Sequence, residues 1–234
     1  EIITQTTGKS AAQNFKEVVT AIVGPTLQDI FFETYSKKLW GIPTTEMSAK
    51  WAPKRIEIRR NHKSFWYNQY SAAGKYGSGA IMNRIADIIQ EKGSEIHLNS
   101  KVTGLKKKNG MIQSLEINKN KLVDTSNSIV ISTLPITTTS DFLGYKSTLE
   151  FNAYILAYAI VSTDALLPKN VQSIYFAHDD NYFHRVTEQK KYSDIGYPED
   201  KTLLCFELSY RVRPHLAEID GEELAKICYA QLCD

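Results

Sequence analysis

The segment SIYFAHDDNYFHRVTEQKKYS, residues 173–193, gathers the side chains best suited to hold a polar ligand. Tyr175, Tyr182, His184 and Arg185 all fall within it. Arginine offers a planar fork that meets a carboxylate or a phosphate through two parallel hydrogen bonds. Tyrosine supplies a flat apolar face with a hydroxyl at its rim. On a strand, neighbouring residues point to opposite faces, so His184 and Arg185 reach one site only through a bulge. Each also has a plainer role. Arg185 can pair with Glu207 from a neighbouring strand, a common structural device. A lone histidine more often packs than acts as a base.

Other chemistries find less support. His178, Asp179 and Asp180 are consecutive, and adjacent residues diverge, so they make a poor metal set and no metal is expected. Cys205, Cys228 and Cys233 lack the paired spacing of zinc ligands. They read as reduced thiols filling small apolar spaces, which suits a cytoplasmic protein. No Ser-His-Asp or Cys-His arrangement follows from spacing. The formal net charge is +2, which gives no electrostatic reason to bind nucleic acid. The basic run LKKKNG (105–110) reads as a solvated hairpin tip. No apolar run is long enough to span a bilayer.

A second stretch with chemical potential is YGSGAIMNRIADII, residues 76–89. Glycines at a helix start can cradle a phosphate. A dinucleotide loop, however, needs a strand before the glycines, a third glycine and a later acidic residue. Here an aromatic loop (61–76) precedes Gly77 and Gly79, and the other two features are missing. Taken alone, these residues describe a tight turn into a helix.

Hydrophobic period supplies the elements around these segments. Residues 10–23 form a helix ended by Gly24, and a second begins at Pro25 with the stripe Leu27, Ile30, Phe31, Tyr35 and Leu39. A short helix over 44–56 should stop at Pro53. Ser78 should cap a helix with Ile81, Ile85, Ile88 and Ile89 on one face and Gly93 just past its end. EIHL (95–98) reads as a strand, and 101–133 as a β-meander with turns at Asn109–Gly110 and Asn118–Asn120. SIVIST (128–133) is apolar on both faces, as in a buried central parallel strand. Strands near 153–163, 173–179, 182–188 and 202–210 should form one antiparallel sheet, followed by a helix over 221–232 behind Asp220. The fold class is α/β with α+β character.

Two stretches in this order, KYGSGAIMNRIADIIQEKGSEIHLNSKVTGL (75–105) and SIVISTLPIT (128–137), resemble the middle of the flavin-dependent amine oxidoreductase family. That family includes protoporphyrinogen oxidases and, more distantly, UDP-galactopyranose mutases. The resemblance implies FAD as cofactor and a two-domain fold. Residues 1–75 would be the helical part of a substrate domain, 76–136 a return segment of the FAD domain, and 137–234 the substrate-domain sheet with its helix. It implies that Val102 lies against the adenine through its backbone. Gly77 and Gly79 would sit near the flavin ring, and Thr133, Leu134 and Pro135 would form the loop leaving the FAD-domain strand. Tyr175, Tyr182, His184 and Arg185 would belong to the substrate face.

The family's N-terminal G-x-G-x-x-G unit and its C-terminal glycine-and-acid segment are not in this sequence. Both ends look cut, so the chain reads as a fragment that does not hold FAD tightly alone. The implied activity is oxidation of a small molecule by hydride transfer to flavin. The mutase alternative needs cations for a pyrophosphate, and Arg185, Arg211 and Arg213 are candidates. A non-enzymatic α+β binding module is the third reading. An uncovered SIVIST strand would favour a homodimer.

Overall fold

The computed structural model describes residues 12–54, 56, 77–193 and 196–233. The aromatic loop 61–76 lies outside them. The chain forms two compact units, one of residues 1–81 with 152–234, the other of residues 82–151.

The first unit opens with α1 (Phe15–Val23). Asn14 caps it by accepting from the Glu17 backbone N–H at 3.0 Å, and Gly24 ends it at φ +85°. α2 (Pro25–Leu27), a π-helical turn (Gln28–Glu33) and α3 (Thr34–Trp40) then run on without a break. The π turn corrects the expected stripe. An extra residue per turn rotates the downstream face, so Gln28, Ser36, Lys38 and Leu39 are buried while Leu27 and Ile30 are exposed. Gly41, left-handed at φ +70°, closes α3. A 3₁₀ helix, Ala49–Lys54, runs through Pro53 rather than stopping there. Phe15, Val19, Met47 and Ala52 form a small core under these helices.

The rest of this unit is the expected antiparallel sheet. Its strands are β4 (Tyr154–Val161), β5 (Ser173–Tyr175), β6 (Arg185–Glu188) and β7 (Thr202–Ser209), in the order β4-β7-β6-β5. The register pairs Ala157 with Phe206 and Val186 with Phe206, which places these on one face. There they join Leu204 and Leu208 in a core with Leu224 and Cys228 of α6 (Gly221–Cys233). Asp220 opens α6 by accepting from the Glu222 and Glu223 backbone N–H groups at 2.9 and 3.3 Å. The opposite face carries Tyr154, Leu156, Tyr158 and Ile160, all exposed, beside Cys205, Glu207 and Arg185. Cys205 and Cys228 are buried free thiols and Cys233 an exposed one.

α4 (Ser78–Glu91) has the predicted span, and Gly93 follows it at φ +80°. The second unit contains the predicted meander, β1 (Val102–Lys108), β2 (Met111–Ile117) and β3 (Lys121–Asp124). Asn109 and Gly110 both have positive φ, 51° and 79°, the geometry of a tight hairpin turn. α5 (Ile136–Phe142) follows Pro135.

Two expected strands do not form. EIHL has no ladder partner among the described residues, and neither does SIVIST, with Ile129 93% and Ile131 84% exposed. A strand exists only through its neighbours. The β-branched run has the composition of a central strand, and no described segment pairs with either of its edges.

Candidate ligand-binding site

The site begins at Tyr35 on α3. The π turn before it places its ring flat on Phe31, 5.5 Å between centroids and 3° from parallel. Tyr35 also meets Tyr175 of β5 at 5.8 Å and His184 at 6.0 Å, both edge-on. Tyr154, the first residue of β4, approaches His184 at 5.4 Å. Burial raises the Tyr35 phenol well above its ordinary pKa, with Tyr175 adding to the effect and Arg185 opposing it.

His184 and Arg185 both reach this cluster. Phe183 packs into the core against Phe176 and Phe206, and Val186 pairs with Phe206 on the same side. Between them His184 and Arg185 point the other way in succession, which breaks strand alternation just before the β6 ladder. The local backbone stays satisfied. The His184 N–H donates to the Glu207 carbonyl, and its carbonyl accepts from the Phe176 N–H, each at 2.9 Å. The irregularity that the sequence required for a shared site is therefore present.

Arg185 forms the predicted ion pair. Its Nε donates to Glu207 Oε1 at 2.8 Å and its Nη2 donates to the same oxygen. Nη1 faces the Tyr175 hydroxyl at 3.4 Å, and the guanidinium lies 5.7 Å from that ring centroid. Burial alone would lower the Arg185 pKa, but Glu207 and Tyr175 outweigh it and hold the pKa above its ordinary value. The side chain remains 36% exposed, so the guanidinium keeps an outer edge for a ligand.

His184 itself is 3% exposed. Neither ring nitrogen has a hydrogen-bond partner among the described residues. Burial, with Arg185 and Lys38 adding positive charge nearby, pushes its pKa down to about 4. The imidazole is neutral at physiological pH.

Tyr182 does not join the cluster. It packs beside the sheet core, 5.5 Å from the Arg213 guanidinium. Arg213 also donates to the Tyr182 carbonyl at 3.3 Å and pairs with Asp179 at 3.4 Å. An apolar cleft of about 400 Å³ adjoins the cluster, with Leu27, Ile30, Phe31, Tyr175 and Asn181 in its wall. No group of three or more His, Cys, Asp or Glu side chains able to hold a metal occurs among the described residues. No helix among them is long and apolar enough to cross a membrane.

Three functional-looking residues escaped the sequence reading. Tyr35 looked like helix stripe. Lys38 is buried, donates to the His178 carbonyl and Asn181 Oδ1, and is pushed down to about 8 by burial, with Arg213 adding. Glu188 is fully buried and accepts from the Leu166 and Leu167 N–H groups and the Thr202 hydroxyl, at 2.9, 2.8 and 2.6 Å. A charged residue inside a predicted strand was the one signal available for Glu188.

The family model of UDP-galactopyranose mutase matches residues 30–218. The chain belongs to the UDP-galactopyranose mutase family. Its fold is similar to that of reduced UDP-galactopyranose mutase, with a TM-score of 0.75 at 19% identity over 96% of this chain and 51% of that one. It is also similar to a putative protoporphyrinogen oxidase from Exiguobacterium sp. 255-15, at TM-score 0.63 and 14% identity over 95% and 54%. A putrescine oxidase double mutant matches at 0.52 and 14% over 94% and 49%. The chain thus spans about half the length of the solved structures it matches. Family membership bears out the flavoenzyme resemblance read from residues 75–137.

FAD is the cofactor of this family. The residues expected near it fall in both units, Gly77 and Gly79 in the first and Val102, Thr133, Leu134 and Pro135 in the second. A Cβ added at Gly77 or Gly79 meets nothing within 4 Å. Thr133, Leu134 and Pro135 are exposed, and Val102 is half-buried on β1, an edge strand of its three-stranded sheet.

Proposed function

We propose that this member of the UDP-galactopyranose mutase family carries the substrate-binding sheet of a sugar-nucleotide mutase. The observation that supports the reading most directly is the family match, which covers α3, β4–β7 and the whole tyrosine cluster. The chemistry of the cluster suits such a substrate. Arg185 presents its outer edge to a pyrophosphate while Glu207 holds its inner edge. Tyr35, Tyr154 and Tyr175 offer ring faces to the apolar side of a sugar or base and hydroxyls at their rims. The wide face of Tyr154, Leu156, Tyr158 and Ile160 supplies further contact area.

A second reading, oxidation of an amine or a C–C bond in the amine-oxidase manner, draws on the fold shared with the protoporphyrinogen and putrescine oxidases. The same apolar sheet face would accept a flat uncharged substrate.

The test uses full-length protein loaded with FAD. UDP-galactopyranose is given to the reduced enzyme, and the sugar nucleotide is analysed by chromatography for a ring-contracted product. UDP binding is measured by calorimetry. Product formation, together with UDP binding that weakens at least tenfold in Arg185→Ala, supports the mutase. Bleaching of oxidised flavin by amines, without UDP binding, overturns it.

A further inference from the structure

His184 is the one histidine side chain among the described residues that is sealed from solvent with both ring nitrogens unpaired. Such groups are rare in folded proteins and call for an explanation. Its backbone is fully bonded, so the chain could place a different side chain here at no cost to the ladder. The alternation break at Phe183–Arg185 turns this imidazole toward Tyr35, Tyr154 and Arg185 rather than outward. Tyr35 is held by its stack on Phe31. Tyr154, the first residue of β4, is 46% exposed, so it forms the solvent-facing wall beside the imidazole.

We propose that His184 is a ligand-binding residue that recognises hydroxyl groups of the hexose, approached from the side of the exposed Tyr154 ring. The inference rests on the sugar-nucleotide reading above. A neutral imidazole has one donor nitrogen and one acceptor nitrogen. A phosphate oxygen only accepts and would leave the second nitrogen unpaired. Hydroxyl groups both donate and accept, so a sugar satisfies both. Anion recognition is already provided one residue later by Arg185. Tyr35, Tyr154, Arg185 and Lys38 are the ionisable groups around the ring. The two cations among them oppose a third positive charge, which keeps the imidazole in the form that can both give and accept.

The experiment compares UDP with UDP-galactose by calorimetry on full-length protein, for wild type, His184→Phe and His184→Asn. Thermal melting accompanies each variant. The expected result is that His184→Phe melts at or above the wild-type temperature and binds UDP as wild type does. Its affinity for UDP-galactose falls at least tenfold, and His184→Asn, which keeps a donor and an acceptor, recovers most of it. Equal binding of UDP-galactose by wild type and His184→Phe overturns the inference while leaving the sugar-nucleotide reading intact. An equal loss for UDP and UDP-galactose also overturns it, because the contact would then not be to the hexose. If wild type binds neither, the sugar-nucleotide reading fails first, and the assignment of His184 fails with it.

Discussion

The buried imidazole makes a quantitative prediction about stability. His184 has a folded pKa of about 4 against an ordinary value of 6.5. Between those values the unfolded chain binds a proton that the folded chain refuses, so stability rises with pH there. The contribution is fully present above pH 6.5 and is lost as pH falls toward 4. Between about pH 7.5 and about pH 4.5, this single group should cost wild type about 2.5 kcal/mol. His184→Phe removes the titration and retains an aromatic ring beside Tyr35 and Tyr154. Urea denaturation of both proteins across that range gives two stability curves. Carboxylates titrating in the same window are common to both and cancel in the difference. The curves should diverge at acid pH, in favour of the variant, by about that amount. Parallel curves would mean that the ring is solvated or paired, and the reasoning about an orphaned imidazole would be wrong.

Other changes test the frame around the site. Arg185→Ala strands Glu207, whose side chain is 13% exposed, and should cost about 1–3 kcal/mol. A cycle with Glu207→Gln would show whether the two residues act as one unit. Glu188→Gln removes the charge and one of the two acceptor oxygens, so its amide N–H₂ faces the Leu166 or the Leu167 N–H, and chemical denaturation should show a loss of about 2–4 kcal/mol. Gly41→Ala forces a left-handed φ of +70° on a residue with a Cβ, 3.4 Å from Val212. It should lower stability by about 1–2 kcal/mol in the same assay.

Much of the fold was readable along the chain because it is local chemistry. Asn109–Gly110 selects a tight hairpin turn, Gly24 and Gly93 end helices, and Asp220 starts one. The four later strands were read as one antiparallel sheet, and the structure has that sheet. The pair Arg185–Glu207 was also legible, as the plainer use of an arginine between antiparallel strands.

Tertiary structure decided the rest. SIVIST has every local property of a central strand, yet a strand is made by its neighbours, and no described residue pairs with it. The stripe on α2 and α3 was read at a constant period. A π turn changed that period midway, buried Lys38 and brought Tyr35 to the sheet. The candidate site depended on the same kind of event. Types and spacing named Tyr175, His184 and Arg185 but set two of them on opposite faces. Only the break at Phe183–Arg185, held by hydrogen bonds to Phe176 and Glu207, turned both to one side. Glu207 belongs to a separate later strand, β7, and no local pattern encodes that contact.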